Sequence, residues 1–227
     1  MTTEPKQAIT QTNISEPAIG EHDLMRADIY NLLAALLRSV PSPEMIQWLK
    51  ELETDQHDGS DMGKAWSGLQ LAARHAQTEQ LEDEYQQLFI GLGRGELVPY
   101  GSWYLTGSLM ETPLAILRQD LKILGFEREE RVKEPEDHAA ALFEVMAFLI
   151  MSGAGSTIQK SFYERHLAEW IGRFFRDLQQ AESAVFYSSI GTLGRAFTDY
   201  ETDSMAAIKE QAVEVLQPDK QTGISAT

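Results

Sequence analysis

Apolar residues along this 227-residue chain recur every three to four positions, the spacing of helices that bury one face, and no stretch keeps the period-two alternation of a half-buried strand. From Glu21 to Ser39 a wide stripe of Met25, Ile29, Leu32, Leu33, Leu36 and Leu37 predicts a first helix, ended by Pro41 and Pro43. Ser42 before Pro43 reads as an N-cap and first helical residue of a short helix through Leu52. After the acidic linker ETDQHDGSD, helical spacing resumes from Asp61 to Ala76 with Trp66 and Leu69. Thr78 then caps a helix whose Leu81, Tyr85, Leu88 and Phe89 fall on one face until Gly91. Thr112 with Pro113 repeats the cap-plus-proline start for a helix through Leu124, ended by Gly125. Pro135 lies just inside the next start, which places Glu134, Glu136 and Asp137 near a positive helix end. Leu142, Met146, Leu149 and Ile150 continue that helix to Gly153 and Gly155. Ser156 or Thr157 caps another, with the stripe Leu167, Ile171, Phe174, Phe175 and Leu178, and two more are expected over Ala184–Tyr200 and Glu201–Leu216. The pattern predicts an all-α fold, one compact domain of eight to ten helices over 21–216, with disordered tails at 1–20 and 217–227. The longest irregular stretch is expected at 91–111.

Composition narrows the chemistry. A hydrophobic content of 43% suffices for a core, and no run of apolar residues is long enough to span a membrane. The first residues lack the basic start and apolar stretch of a secretory signal, so the expected location is the cytoplasm. With no cysteine, disulfides, thiolate metal sites and a cysteine nucleophile are excluded. The formal charge of −16 repels nucleic acid and anionic lipid and attracts cationic ligands and basic peptides.

The segment 85–104, YQQLFIGLGRGELVPYGSWY, is where helical spacing fails. Gly91, Gly93 and Gly95 stop the helix, and Pro99 is followed closely by Tyr100, Trp103 and Tyr104. Those rings either tuck under neighbouring helices or form an apolar recognition site. GLGRG is not a phosphate loop, because a helix precedes it and Glu96, not Lys with Ser or Thr, follows. The histidines at 22, 57, 75, 138 and 166 show no metal-ligand spacing, so no metal is expected. His138 closes EPEDH beside Glu134, Glu136 and Asp137. Three roles fit it: a helix cap with a first-turn histidine, an acid/base pair of Asp137 with His138 in a small helical enzyme, or a carboxylate at a groove rim that receives an arginine. As a first-turn residue, Asp137 is expected to contribute little to the core.

Tyr85-x-x-Leu88-Phe89 with Gly91, then Pro99-Tyr100-x-Ser102-x-Tyr104, then Glu134-Pro135-x-Asp137-His138, in this order on an acidic helical chain, resembles the TorD/DmsD family of redox-enzyme maturation chaperones over about residues 24–200. The resemblance implies a cytoplasmic chaperone, not an enzyme. Such a chaperone binds the twin-arginine signal peptide of a molybdenum or tungsten oxidoreductase and holds the apoenzyme until its cofactor is loaded. By matching position the implied peptide-binding residues are Tyr85, Leu88, Phe89, Pro99, Tyr100, Ser102, Glu134, Pro135, Asp137 and His138, and Trp103 and Tyr104 join them as neighbours in the same loop. The run GSWYLTGSLMETPLAILRQDL before EPEDH is most similar to the branch associated with formate dehydrogenases. No cofactor is implied, although weak guanine-nucleotide binding belongs to the family picture, as do both monomers and domain-swapped dimers. A structural adaptor is the remaining alternative.

Overall fold

Two helix starts show how local sequence sets the boundaries. Ser42 Oγ accepts from Met45 N at 3.2 Å and Ser60 Oγ from Gly63 N at 3.0 Å, each satisfying an N–H that has no partner within its own helix. In the computed structural model, which describes residues 19–54, 58–127 and 133–208, ten α-helices follow. They are α1 Glu21–Arg38, α2 Pro43–Glu51, α3 Asp61–His75, α4 Thr78–Tyr85, α5 Gly101–Thr106, α6 Thr112–Ile123, α7 Ala139–Met151, α8 Ser156–His166, α9 Ile171–Gln180 and α10 Phe186–Ala207. A π-helical turn, Gln86–Ile90, extends α4. No strand occurs among the described residues; the one β feature there is an isolated antiparallel bridge between Tyr100 and His138. The all-α architecture is as the periodicity predicts.

The core lies where α1 packs on α7 and α10 packs on α9 and α3. Buried rings fill it. Tyr30 meets Phe197 edge-on at 4.7 Å between centroids, and Phe143 stacks on Phe175 at 5.9 Å. Two buried carboxylates tie the helices together. Glu201 of α10, fully buried, accepts from Arg26 Nε at 2.7 Å, Arg26 Nη2 at 2.9 Å and Tyr30 Oη at 2.8 Å. Glu84 of α4 accepts from the backbone N–H groups of Val185, Phe186 and Tyr187 at 2.7 to 3.1 Å, so it caps α10 from a distant part of the chain.

Several predicted boundaries shift. The one helix expected from Ser156 through Leu178 is two, because the chain turns at 167–170; Leu167 lies in that turn and the rest of the stripe in α9. There buried Trp170 donates its indole N–H to the carbonyl of His166 at 2.7 Å, satisfying the end of α8. The last two expected helices are one: α10 runs unbroken through Tyr200 and Glu201, since Glu201 points inward to Arg26 instead of marking a boundary. Helix α7 begins at Ala139, four residues beyond Pro135. His138 is its N-cap, with Nδ1 accepting from Ala140 N at 3.1 Å, and His138 N closes a turn onto Pro135 O at 3.2 Å. The irregular stretch 91–111 contains α5, ended by Gly107 in the left-handed region at φ +81°. Helix α4 starts at Thr78 with Gln77 at its cap position, and α6 at Thr112 with Glu111 at its cap position, one residue earlier than expected in each case. The expected tails, apart from residues 19 and 20, and positions 209–216 of the last helix lie outside the described residues, as do parts of the acidic and charged linkers.

Candidate functional site

The glycines of GLGRG serve backbone packing. Gly91 sits at φ +62°, where a Cβ would stand 2.0 Å from Arg94 O, and at Gly95 a Cβ would stand 2.5 Å from Leu88 O. Only glycine lets the chain double back so tightly. Glu96 N then donates to Gln87 O at 3.0 Å and Leu97 N to Leu88 O at 2.8 Å. This return delivers Pro99 and Tyr100 to the start of α7. Gly101 N donates to Asp137 O at 2.9 Å and Ala139 N to Pro99 O at 2.8 Å, so PYGSWY and EPEDH run side by side as a short antiparallel pair.

Asp137 locks this joint from inside. It is 3% exposed, and its Oδ2 accepts from Ser102 N at 2.8 Å and from the Ser102 hydroxyl. Its Oδ1 is buried without a hydrogen-bond partner, and the residue lines a cavity of about 140 Å³ with Leu105, Leu117, Leu142 and His166. Asp137 is therefore neither a first-turn residue nor a rim carboxylate, and the expectation that it adds little to the core is corrected by its burial. His138 is equally occupied. Its Nδ1 caps α7, and burial holds its pKa below the usual range even though Glu134 and Asp137 pull the other way. Asp137 faces Ser102 and His138 faces Ala140, so the two neighbours form no acid/base pair.

The accessible carboxylate is Glu134, with 38% of its side chain exposed. Tyr100 Oη donates to its Oε1 at 2.9 Å, His138 Nε2 lies 3.7 Å from the same oxygen, and Arg38 Nη1 stands 3.8 Å from Oε2. Arg38 is engaged elsewhere, donating to both oxygens of Glu144 at 2.8 and 2.6 Å. Oε2 of Glu134 thus retains acceptor capacity toward solvent. Rings surround it. Tyr100 meets His138 edge-on at 5.0 Å, and Tyr85 lies near enough to Glu134 and Arg38 for both charges to act on its hydroxyl. Burial, reinforced by Glu134, pushes the Tyr85 hydroxyl up to about 12 and raises that of Tyr100.

The expected site residues sort into three groups. Tyr85, Tyr100, Glu134 and His138 gather into one cluster, and Phe89 adjoins it through Tyr85 at 5.0 Å. Leu88, Pro99, Ser102 and Asp137 are interior, and half-buried Pro135 shapes the turn before α7. Trp103 and Tyr104 point elsewhere: Arg94 lies 4.9 Å over the Trp103 ring, while Tyr104 packs on Trp170 at 5.5 Å and donates to Asp177 at 2.8 Å. Tyr104 thus holds α5 against α9, and Trp103 packs on the glycine loop through Arg94. Sequence reasoning missed Arg38 and Glu144, and also Arg118, whose Nη2 stands 2.9 Å from Glu136. Arg38 carried only the ordinary signal of a cation in the last turn of a helix.

Residues 55–176, more than half the chain and including both motifs, match the family model described as nitrate reductase delta subunit. The chain belongs to that family, the family of TorD. Among its relatives, the chaperone protein TorD of Vibrio cholerae serotype O1 is 25% identical over 193 residues, 76% of this chain and 88% of the relative. The chaperone protein TorD of Actinobacillus succinogenes is 28% identical over 156 residues, 64% of this chain and 80% of the relative. A crystal structure described as a redox enzyme maturation protein from Archaeoglobus fulgidus superposes with a TM-score of 0.53 at 20% identity, covering 83% of this chain and 99% of that one, and so shares the fold. No helix among the described residues is long and apolar enough to cross a membrane, and no cluster there could hold a metal ion.

Proposed function

We propose that this TorD-family chaperone takes the twin-arginine signal peptide of a molybdenum or tungsten oxidoreductase at the Glu134 cluster and holds the apoenzyme in the cytoplasm until its cofactor is in place. A formate dehydrogenase is the proposed client, on the sequence resemblance alone. The observation that carries the reading is Glu134 itself: a half-exposed carboxylate, steadied by Tyr100, with one oxygen open and Tyr85, Tyr100 and His138 around it. A guanidinium meets such a carboxylate through charge-assisted hydrogen bonds, and the aromatic rings offer cation–π and apolar contact to the flanking residues. Catalysis has no support in the geometry, because the sequence-adjacent Asp137 and His138 are both committed to the fold.

The test is client capture. Tagged chaperone expressed in a host carrying the oxidoreductase should co-purify the apoenzyme, identified by mass spectrometry. Replacing both signal-peptide arginines by glutamine should deplete it. Equal recovery with the substituted signal peptide would overturn the reading.

A further inference from the structure

A second acidic, ring-lined surface lies well away from Glu134. A cleft of about 360 Å³ opens between α1, α2 and α3, with Met25, Ile29, Trp48 and Trp66 along its walls and Asp28 and Glu53 beside them. Along α1, Ile29 of the cleft is nine residues before Arg38, which stands beside Glu134, an offset of about 14 Å along the helix axis at 1.5 Å per residue. Met25 is 56% and Trp48 49% exposed, so two large apolar side chains of the same cleft are open to solvent.

The four tryptophans divide. Trp103 has Arg94 over its ring and Trp170 is buried against Tyr104. Trp48 and Trp66 have no ring or cation partner among the described residues. The carboxylates divide likewise. Glu201 and Glu84 are saturated with donors, whereas Asp28 and Glu53 take no hydrogen bond or ion pair among the described residues. No Lys, Arg or His of the described residues lines the cleft. The exposed Trp48 and the half-buried Trp66, beside carboxylates that have no partner among the described residues, complement one kind of guest, an apolar segment that carries cations, since a Lys or Arg then gains a carboxylate and a π face together. A second copy of this chain does not fit, because two molecules of charge −16 would bring like-charged rims together.

We infer that the α1–α2–α3 cleft is a second docking site, for a basic, apolar peptide segment of a partner polypeptide. It stands independently of the reading for Glu134. The probe is a synthetic peptide of leucines and lysines in helical register, titrated into the full chain labelled with nitrogen-15. The four tryptophans give four indole N–H signals, assigned by single Trp→Phe variants. The signals of Trp48 and Trp66 should move while those of Trp103 and Trp170 stay. Asp28→Asn with Glu53→Gln should weaken the probe about tenfold. Glu79→Gln with Glu82→Gln, the same change of charge on α4, should leave its affinity unaltered. Shifts spread over all four indoles, equal weakening by the two double variants, or a full chain that does not respond would each overturn the proposal. So would concentration-dependent shifts of Trp48 and Trp66 without peptide, which would assign the cleft to self-association.

Discussion

Glu134 and Asp137 are carboxylates of one five-residue motif, yet they inhabit different solvents. The Glu134 side chain is 38% exposed and shares its charge with a tyrosine and a distant arginine; Asp137 is 3% exposed and spends one oxygen on both donors of Ser102. The same functional group therefore does opposite work. In the interior a carboxylate holds chain segments together because its donors have no water to turn to, and on the surface it remains available to a guest. Position in the motif does not distinguish the two; the turn closed by His138 N on Pro135 O does.

The largest expected effect is on Asp137. Asp137→Ala leaves the Ser102 N–H and hydroxyl without their acceptor, and should cost about 3 kcal/mol of stability, read as a lowered urea midpoint at unchanged slope. Asp137→Asn keeps an acceptor oxygen and should lose less than half of that. An alanine variant within about 1 kcal/mol of wild type would return Asp137 to the role of a simple helix cap.

Next in size is Glu134→Gln. A half-exposed ion pair contributes only about 0 to 1 kcal/mol, so the fold should be almost untouched, while affinity for a twin-arginine peptide should fall about tenfold. Unfolding of this variant would erase the contrast with Asp137. Tyr100→Phe sharpens it further: removing the 2.9 Å hydrogen bond frees Glu134 to swing, with about 1 kcal/mol expected in peptide affinity by calorimetry.

The smallest effect is on pH dependence. Burial depresses the pKa of His138 and of His166, the latter despite its 2.8 Å contact with Asp120. A histidine with a lowered folded pKa binds fewer protons in the native than in the unfolded state. Its contribution is thus full above the unfolded value of about 6.5 and is lost as pH falls toward the folded value. Thermal melts should show stability declining below about pH 6.5, and His138→Gln with His166→Gln should flatten that part of the profile. A double variant as acid-sensitive as the wild type would place the effect on other groups.

The helices were legible because their signals are local. The stripe of α1, the Ser42–Pro43 start of α2 and the glycine stop after Ile90 each need only neighbouring residues. What was illegible depended on partners far along the chain. Trp170 breaks α8 from α9 by bonding the His166 carbonyl, and Glu201 keeps α10 continuous by facing Arg26 across 175 positions. The candidate site follows the same division. Its motifs and most of its members were visible, including the aromatic residues on either side of the glycines. Which carboxylate would be buried follows from the pairing of PYGSWY with EPEDH, and the place of Arg38 beside Glu134 from the packing of α1 on α7; no local spacing encodes either.

The central claim is that Glu134, not Asp137, reads an arginine of the signal peptide. A double-mutant cycle by calorimetry tests it most directly, pairing wild-type and Glu134→Gln protein with the twin-arginine peptide and its glutamine-substituted form. Non-additivity of about 1.4 kcal/mol, the whole of the tenfold loss, is expected, with Glu134→Gln binding both peptides as weakly as wild type binds the substituted one. Additive losses, or full affinity of Glu134→Gln for the twin-arginine peptide, would contradict the account.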